Sequence, residues 1–392
     1  MNIALLTGGW DRPYAYGMGT ALGNEGIHVD FIAGEDFTPE DFAATPTVRT
    51  LIFKPPLPES AGRLARIRRV LAYYRRLVSY AWSAQPRIFH ILWNNGYDTF
   101  DRVVLMTYYK LLRKRVILTA HNVNAGRRDA NDTLLNRLTL RFQYALCDHI
   151  FVHTEQMKRE LVEGFRIAPA SVTVVPFGIN NSVPDTGMTR AEARERLGLA
   201  ADQKVVLFFG NIAPYKGLEF LVGAFLQVAP EDAQYRLIVA GQRKPRSDDE
   251  YWDRILRDIG DDPCRRGILL KIQYIPDAEA EIYFKAADVL VLPYTHIFQS
   301  GVIFLGFSFG LPALVADVGS LKDEVVEGRN GFVFAPRDAA DLAHSLRRYF
   351  SSDLYRELAA RRGCIREQAT RAHSWTTVAE MTRGVYRSTT AS

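Results

Sequence analysis

The chain has few cysteines and lacks a long apolar run. Its three cysteines, Cys147, Cys264 and Cys364, lie far apart and show no Cys-x-x-Cys spacing, so the sequence predicts neither a zinc site nor a disulfide framework. The N-terminal segment, MNIALLTGGW, lacks the basic start and the apolar stretch of a signal peptide, and nowhere do about 18 apolar residues run together. These absences predict a cytoplasmic protein that does not span a membrane.

The length of the chain predicts two domains. At 392 residues it exceeds the size at which a single hydrophobic core usually splits. Its composition, 47% hydrophobic and 24% charged, excludes a disordered or fibrous chain. Two globular domains of similar size are therefore expected.

Short β-branched runs alternate with stretches of helical periodicity, which is the pattern of parallel sheets with crossover helices. The candidate strands form two series. The first series consists of Asn2–Thr7, His28–Ala33, Arg87–Trp93, Arg115–Ala120, His149–His153 and Val172–Val175, and the second of Lys204–Phe209, Tyr235–Ala240, Gly267–Tyr274, Val289–Leu292, Ala313–Ala316 and Gly331–Phe334. Each series predicts one doubly wound, Rossmann-like α/β domain.

A linker containing Pro184, Asp185 and Gly187 separates the two series. We therefore predict an N-terminal domain over residues 1–184, a C-terminal domain over 185–370, and a C-terminal helix over 371–392 that crosses back to the N-terminal domain. Ligands of open α/β sheets bind beyond the carboxyl ends of the strands. Two such domains that face across a cleft are expected to hold their site there.

Positive charge is concentrated in the N-terminal half. Between Ala61 and Leu118 there are 12 Lys and Arg against 2 acidic residues, within a chain of net charge +5. Apolar residues of the segment 62–82 fall on one helical stripe flanked by arginines. We expect that stripe to pack on its own domain, and the arginines either to be solvated or to contact an anionic membrane surface. No nucleic-acid-binding motif accompanies the charge, so nucleic acid is not an expected partner.

Two strand-loop-helix segments predict anion sites. In VVLFFGNIAPYKGLEFLVGAF a buried strand ends at Gly210, and Lys216 stands where a helix begins, so a positive charge joins free helical amides. In ADVLVLPYTHIFQSGVIFLGF, Ser300 and Gly301 open a second helix in the same way. The alternatives are a surface lysine and an ordinary serine N-cap. Together the two segments predict a diphosphate site.

These motifs resemble family 4 of the retaining glycosyltransferases, which have the GT-B fold of two facing Rossmann-like domains. The resemblance covers nearly the whole chain and is specific as a set of motifs. It is carried by Val205–Phe225, the PY…QSGV…FGLP segment, Val174–Asn180 and Glu324–Phe332.

The resemblance implies a role for individual residues. His121, in ILTAHN, matches the family histidine that points at the transferred sugar, and Lys216 matches the lysine that binds the donor diphosphate; both are candidate catalytic residues. The donor-binding residues implied are Gly210, Asn211, Lys216, Ser300, Gly301 and Val302. The acceptor-side residues implied are Gly8, Gly9 and Asn122, and Gly178 matches the turn beside the domain hinge.

The chain also departs from the family pattern. The two glutamates that usually lie eight positions apart are Ile297 and Leu305 here, and the arginine that usually accompanies the lysine is Asn211. A sub-branch of the family with a Gln-Ser-Gly motif is similar, so we interpret the changes as altered donor recognition. They keep a non-catalytic sugar or partner binder open as an alternative.

The predicted function is a retaining glycosyltransferase of the hexosyltransferase class. It would move a sugar from a nucleotide-diphosphate donor to a saccharide or lipid-linked acceptor of surface-polysaccharide synthesis, at the inner face of the cell membrane. No Asp-x-Asp metal motif follows a strand, so no metal and no other cofactor is expected. The remaining alternative is a nucleotide-sugar isomerase on the same fold.

Overall fold

A computed structural model gives the structure of the protein and describes residues 1–9, 11–58, 60–124, 126, 132–179, 183–243, 249–260 and 263–391. The chain divides into two compact units. Unit 1 comprises residues 1–178 and 373–392, and unit 2 comprises residues 179–372. The sequence prediction divides the chain at 184/185 and 370/371. Asn180, the last residue of the VVPFGIN motif, lies outside the described residues.

Within the described residues, regular structure consists of thirteen named strands and fourteen α-helices. The strands are β1 Asn2–Leu6, β2 His28–Ala33, β3 Val48–Ile52, β4 Ile88–Ile91, β5 Arg115–Thr119, β6 His149–Val152, β7 Val172–Val174, β8 Lys204–Phe209, β9 Tyr235–Ala240, β10 Ile268–Lys271, β11 Val289–Leu292, β12 Ala313–Ala316 and β13 Gly331–Phe334. The helices are α1 Arg12–Asn24, α2 Arg63–Ser83, α3 Met106–Leu111, α4 Leu134–Leu146, α5 Glu155–Phe165, α6 Arg190–Arg196, α7 Leu218–Val228, α8 Asp249–Ile259, α9 Asp277–Ala286, α10 Gly301–Ser308, α11 Ala339–Ser351, α12 Asp353–Arg356, α13 Leu358–Ala372 and α14 Trp375–Ala391.

Unit 1 is built on a parallel sheet of strand order β3-β2-β1-β4-β5-β6-β7. In β1, residues Ile3 to Leu5 are fully buried, because helices cover both faces of such a sheet and its strands read as continuous apolar runs. Helix α14 packs against α1 in the same unit. The Trp375 ring occupies the space that a Cβ atom would need at Gly17 and at Gly178, so both positions require glycine.

Unit 2 repeats this architecture with the order β10-β9-β8-β11-β12-β13. Its central strands β8, β9, β11 and β12 are apolar runs of almost complete burial. A buried ion pair anchors the start of the unit, because Arg194 of α6 donates from Nη2 to Asp288 at 2.8 Å and from Nε to the carbonyl of Ala286 at 3.0 Å. In both units the strand order reverses beside the first strand, which is where doubly wound sheets bind ligands.

The predicted α/β class is confirmed by these two parallel sheets with alternating helices. The segment Val48–Ile52 is not among the predicted strands and forms strand β3 at the edge of the first sheet. The predicted packing of the α2 stripe is wrong for its N-terminal half: Leu77 and Ala81 are buried, whereas Leu64 and Leu71 are 72% and 64% exposed. Among the described residues no helix combines the length and the apolar character that crossing a membrane requires.

Candidate active site

In unit 2, the loop after β8 carries Lys216 into a buried position. The strand ends at Phe209, and the next residue, Gly210, has a φ of 106°, a conformation that favours glycine. A single 3-10 turn over Pro214–Lys216 follows. Gly217 then starts helix α7 with a φ of 63°. Lys216 lies two residues before α7, close to a helix start as predicted. Its side chain is only 7% exposed, so the alternative of a surface lysine is wrong.

Lys216 and Ser300 meet through a residue that the sequence reasoning missed, Tyr294. The Lys216 ammonium donates a hydrogen bond to the Tyr294 hydroxyl at 2.6 Å and lies 4.3 Å from the centre of its ring. The Ser300 hydroxyl is 3.3 Å from the same oxygen. Complete burial raises the pKa of Tyr294, so the phenol stays neutral. The Pro-Tyr pair that directly follows β11 is the sequence feature from which Tyr294 could have been predicted as a site residue.

Ser300 holds the N-cap position of α10 without capping the helix with its side chain. Its backbone is extended, with φ −133° and ψ 120°, and its hydroxyl turns to Tyr294 instead of to a helical amide. A Cβ atom placed on Gly210 would lie 3.6 Å from Cγ2 of Val302 and 3.9 Å from Nζ of Lys216. The structure thus brings Gly210, Lys216, Ser300 and Val302 of the predicted donor site together, whereas Asn211 is exposed beside them.

Glycines allow the loops after the strands of unit 2 to approach one another closely through their backbones. A Cβ atom on Gly217 would lie 2.0 Å from the carbonyl oxygen of Pro293, and one on Gly241 would lie 1.8 Å from that of Gly210. The amide of Thr295 donates to the carbonyl of Tyr215 at 2.8 Å. Side chains would force these backbones apart, so glycine at 217 and 241 fixes the separation of Lys216 from Ser300.

The two positions that carry glutamate in the resembling family point into the unit here. Ile297 and Leu305 are 8% and 6% exposed, so no carboxylate could replace them without burying charge. A different carboxylate is near: Nε2 of Gln299, in the Gln-Ser-Gly segment, donates to Glu324 at 3.1 Å. The loop therefore carries a different set of polar groups from the one in the resembling family.

In unit 1, Gly8 and Gly9 follow β1 and line a pocket of about 340 Å³. Gly8 has a φ of 63°, and a Cβ atom there would lie 2.6 Å from the carbonyl oxygen of Trp93. Gly9 has a φ of 76°, and none of the described atoms lies within 4 Å of the place its Cβ would take. Gly8 is needed for packing, whereas Gly9 leaves open space at the pocket.

The lining of this pocket is acidic and phenolic. It includes Glu35, Asp36 and Lys54 with Tyr73 and Tyr97. Burial raises the pKa of Asp36, although nearby cations oppose that shift. The pocket walls therefore present more carboxylate than ammonium groups.

A buried carboxylate, Asp101, organises the same walls. It is 3% exposed and accepts hydrogen bonds from the Tyr74 hydroxyl at 2.9 Å, the Asn95 amide at 2.7 Å and the Tyr97 amide at 3.3 Å. Burial raises its pKa while these donors lower it. Sequence reasoning counted Asp101 only as a charge and missed this role, because one of its donors, Tyr74, comes from the distant helix α2.

His121 follows β5, and two aromatic rings and one hydrogen-bond partner hold its ring in place. It stacks on Trp93 with centroids 4.0 Å apart and an interplanar angle of 2°, and it meets Tyr14 edge-on at 4.5 Å. Its Nδ1 lies 3.1 Å from Nε2 of His153. Burial holds the pKa of His121 well below its usual value, with His153 adding to that effect. Asn122, the next residue, is partly buried.

Exposed apolar side chains form a surface on unit 1, which we call the apolar strip. It spans α2, the π-helical segment Phe100–Leu105 and α4. Tyr74 meets Phe100 edge-on at 5.0 Å, and Arg102 donates to Asn136 at 2.8 Å, so the three segments are neighbours. The strip consists of Leu64, Ile67, Leu71, Tyr97, Phe100, Val104, Leu134, Leu135, Leu138 and Phe142. So many exposed apolar side chains on neighbouring segments are uncommon on proteins that contact only water.

Metal ligation finds no support in the side chains that the structure describes. Among them, no group of three or more His, Cys, Asp or Glu residues is arranged to hold a metal ion. The positive charge at the unit 2 site comes from Lys216 and from helical amides.

Comparisons with known proteins give relatives for both units. A family model described as "Glycosyltransferase Family 4" matches residues 13–183, and one described as "Glycosyl transferases group 1" matches residues 203–352. The D-inositol 3-phosphate glycosyltransferase of Acidothermus cellulolyticus is 31% identical over 250 residues, 62% of this chain and 54% of that protein. That of Streptomyces avermitilis is 30% identical over 62% of this chain and 52% of that protein. The chain thus spans about half the length of these curated relatives.

Solved structures share the fold over the whole chain. Sucrose-phosphate synthase from Thermosynechococcus elongatus has a TM-score of 0.78 at 21% identity, covering 100% of this chain and 99% of its own. HepE of Anabaena in complex with UDP-glucose has a TM-score of 0.74 at 15% identity, covering 99% and 100%. WaaG, described as a glycosyltransferase involved in lipopolysaccharide biosynthesis, has a TM-score of 0.67 at 16% identity, covering 98% and 99%. The predicted GT-B fold is confirmed by these neighbours, and the two family models, both of glycosyltransferases, match successive parts of this chain.

Proposed function

We propose that the protein is a retaining glycosyltransferase that moves a sugar from a nucleoside-diphosphate donor to a saccharide acceptor. The observation that carries the proposal is the buried cluster of Lys216, Tyr294 and Ser300 at the start of α10. A cation, two hydroxyls and free helical amides in one place suit a diphosphate. The glycosyltransferase matches to both parts of the chain and the UDP-glucose in the HepE complex agree with this function.

Charge development supplies the mechanism. When the bond between the sugar and the diphosphate breaks, negative charge grows on the diphosphate oxygens. Lys216 and the amides at the starts of α7 and α10 are already in place to stabilise that charge. Tyr294 holds the Lys216 ammonium in one position, so little reorganisation accompanies the step. The proposal requires no metal ion.

The family resemblance implies that the anomeric configuration of the transferred sugar is retained. The acceptor hydroxyl attacks the face from which the diphosphate leaves, and a phosphate oxygen takes the proton. A carboxylate base is then unnecessary.

The acceptor in this proposal binds the pocket beside Gly8 and Gly9. Its lining includes Glu35 and Asp36 against one ammonium, that of Lys54, and Tyr97 is an exposed aromatic surface at its edge. Hydroxyl-rich, uncharged groups suit such walls, whereas a phosphate would face two carboxylates. We therefore propose that a sugar ring, not a phosphorylated group, enters this pocket.

We further propose that the acceptor is lipid-linked and that the apolar strip rests on an anionic membrane. The strip begins on α2, whose Val70 and Tyr73 also line the acceptor pocket, so an acceptor at the membrane surface would reach the pocket. Arg68 and Arg75 are exposed on α2 and pair with no described residue. Apolar insertion combined with basic charge is how interfacial helices bind anionic bilayers.

Vesicle binding tests the membrane proposal. Vesicles with anionic lipid should bind the protein and release it as salt rises, and neutral vesicles should bind it less. Replacing Arg68 and Arg75 with Gln should weaken binding, since each basic residue contributes about 1 kcal/mol near such a surface. Arg69 and Arg76 are left intact because they bond Glu35 and the Phe53 carbonyl.

The matched control replaces Arg254 and Arg257 of α8, which removes the same charge from unit 2. If the two double variants bind anionic vesicles equally, the apolar strip is not the membrane contact.

Turnover of a labelled nucleotide sugar separates the proposed function from its alternatives. With UDP-glucose, GDP-mannose, ADP-glucose and dTDP-glucose offered without acceptor, a transferase at most hydrolyses one donor slowly. An isomerase converts the donor, and a binder leaves it unchanged. Faster product formation on addition of a membrane extract, with an α-linked product, is the result that the proposal expects.

A further inference from the structure

Three residues of unit 1, His121, His153 and Val175, form a buried hydrogen-bonded line at the ends of strands β5, β6 and β7. Nδ1 of His153 lies 3.2 Å from the carbonyl oxygen of Val175, and Nε2 of the same ring lies 3.1 Å from Nδ1 of His121. His153 is 6% exposed. Nothing in the family resemblance assigns His153 a part.

Hydrogen-bond chemistry fixes the direction of this line. A carbonyl oxygen only accepts, so Nδ1 of His153 must carry the hydrogen. In a neutral ring Nε2 is then an acceptor, and it can bond to His121 only if Nδ1 of His121 donates. A neutral His121 that donates from Nδ1 has no hydrogen on Nε2.

Burial agrees with neutral rings. It lowers the pKa of His153 to about 4, and it holds the pKa of His121 well below its usual value. The titratable groups that face His121 are His153, Tyr14 and, at longer range, His90. Burial also raises the pKa of Tyr14, so near neutral pH none of these groups adds charge beside the ring.

The unprotonated nitrogen of His121 is left without a protein partner. Its Nε2 is buried and makes no hydrogen bond to any residue that the structure describes. The stack on Trp93 holds the plane of the ring, and the bond to His153 prevents the ring from turning over. A buried acceptor without a partner is costly unless a ligand group supplies the hydrogen.

We propose that His153 is a positioning residue that holds His121 in its Nδ1–H tautomer and thereby presents Nε2 as an acceptor to a substrate hydroxyl. The tautomer claim stands on unit 1 alone, and the substrate claim rests on the function proposed above. His121 then binds and orients the sugar and neither donates a proton nor ligates a metal.

Nitrogen-15 NMR of the full-length labelled protein tests the tautomer directly. Long-range proton–nitrogen correlations distinguish protonated from unprotonated ring nitrogens, and His121→Gln identifies the His121 signals. At pH 7 the wild-type spectrum should show protonated Nδ1 and bare Nε2 for His121. A protonated Nε2, or an equal mixture of tautomers, would overturn the proposal whatever the activity.

Variants then test the positioning role. His153→Leu removes the acceptor while nearly keeping volume, so His121 should become a tautomer mixture. Turnover should fall about five- to tenfold, as expected for loss of one oriented hydrogen bond. His149→Gln is the control, because His149 opens β6, the strand that His153 directly follows, and bonds Thr173 instead.

The outcomes separate the two claims. An unchanged His121 spectrum in His153→Leu would refute the positioning role, and if that variant does not fold, the wild-type spectrum still decides the tautomer. A changed spectrum with unchanged turnover keeps the tautomer and removes the substrate contact.

Discussion

The two units share one strand order but differ in the chemistry at the carboxyl ends of their strands. Unit 2 presents the buried cation Lys216 with hydroxyls and helical amides, whereas unit 1 presents carboxylates, phenols and neutral imidazoles. The comparison shows that the topology decides where a site lies and that the loop residues decide which charge it accepts. One unit is suited to a diphosphate and the other to sugar hydroxyls.

The largest expected effect is on the cation of unit 2. Lys216→Ala should lower turnover by about 10² to 10³ at saturating donor, because one preplaced donor to the developing negative charge is lost. Lys271→Ala, at the end of edge strand β10, is the control and should change turnover little. A loss of less than about threefold in Lys216→Ala would remove the residue from the mechanism.

Acid should affect unit 1 through its neutral histidines. Burial lowers the pKa of His90 to about 3 and that of His153 to about 4, against about 6.5 in the unfolded chain. As pH falls, the unfolded chain binds these protons before the folded protein does. The contribution of each histidine to the free energy of unfolding is therefore fully present above about pH 6.5, and below that pH it falls by about 1.4 kcal/mol per pH unit.

Urea unfolding at pH 7 and pH 5 measures this dependence, with tryptophan fluorescence reporting Trp93 beside His121. His153→Leu should reduce the loss between the two pH values. Equal free energies of unfolding of the wild type at pH 7 and pH 5 would contradict the account.

Gly8 and Gly9 provide a matched pair within unit 1. Gly8→Ala places a Cβ atom 2.6 Å from a backbone oxygen, so it should lower the melting temperature by more than Gly9→Ala does. Gly9→Ala meets no described atom and should cost about 1 to 2 kcal/mol for its left-handed backbone, while raising the KM of the acceptor. Equal destabilisation by the two changes would argue against the close approach at Gly8.

The smallest effects are expected from Ser300→Ala and from chelation. Ser300 shares its task with Tyr294 and helical amides, so its loss should cost less than about tenfold in turnover. Tyr294→Phe should cost more than Ser300→Ala, since the Tyr294 hydroxyl contacts both partners. EDTA should leave turnover unchanged, and a loss that magnesium restores would show that a metal takes part.

Much of the fold could be predicted from the sequence because buried parallel strands are continuous apolar runs. β8, β9, β11, β12 and β13 have the predicted bounds. β3 was missed because VRTLI lies at the sheet edge and is followed closely by the prolines of KPPLP. Its pairing with β2, not its own composition, makes it a strand.

The site could be predicted only where local segments carry it. Lys216 and Ser300 each stand at a helix start, which is a local signal, whereas Tyr294 and Asp101 act through contacts between distant segments. The α2 stripe was misjudged because an amphipathic pattern shows which face is apolar and not what covers it. Its exposed half became evident only from the structure.

Binding of nucleoside diphosphates tests the central claim most directly. UDP, GDP, ADP and dTDP should be titrated into the wild type and Lys216→Ala while the melting temperature is followed, since ligand at about 100 times its Kd adds about 2.7 kcal/mol. The account predicts that at least one nucleotide raises the melting temperature of the wild type and that Lys216→Ala loses most of this shift. An equal shift in both proteins, or no shift with any of the four nucleotides, would contradict it.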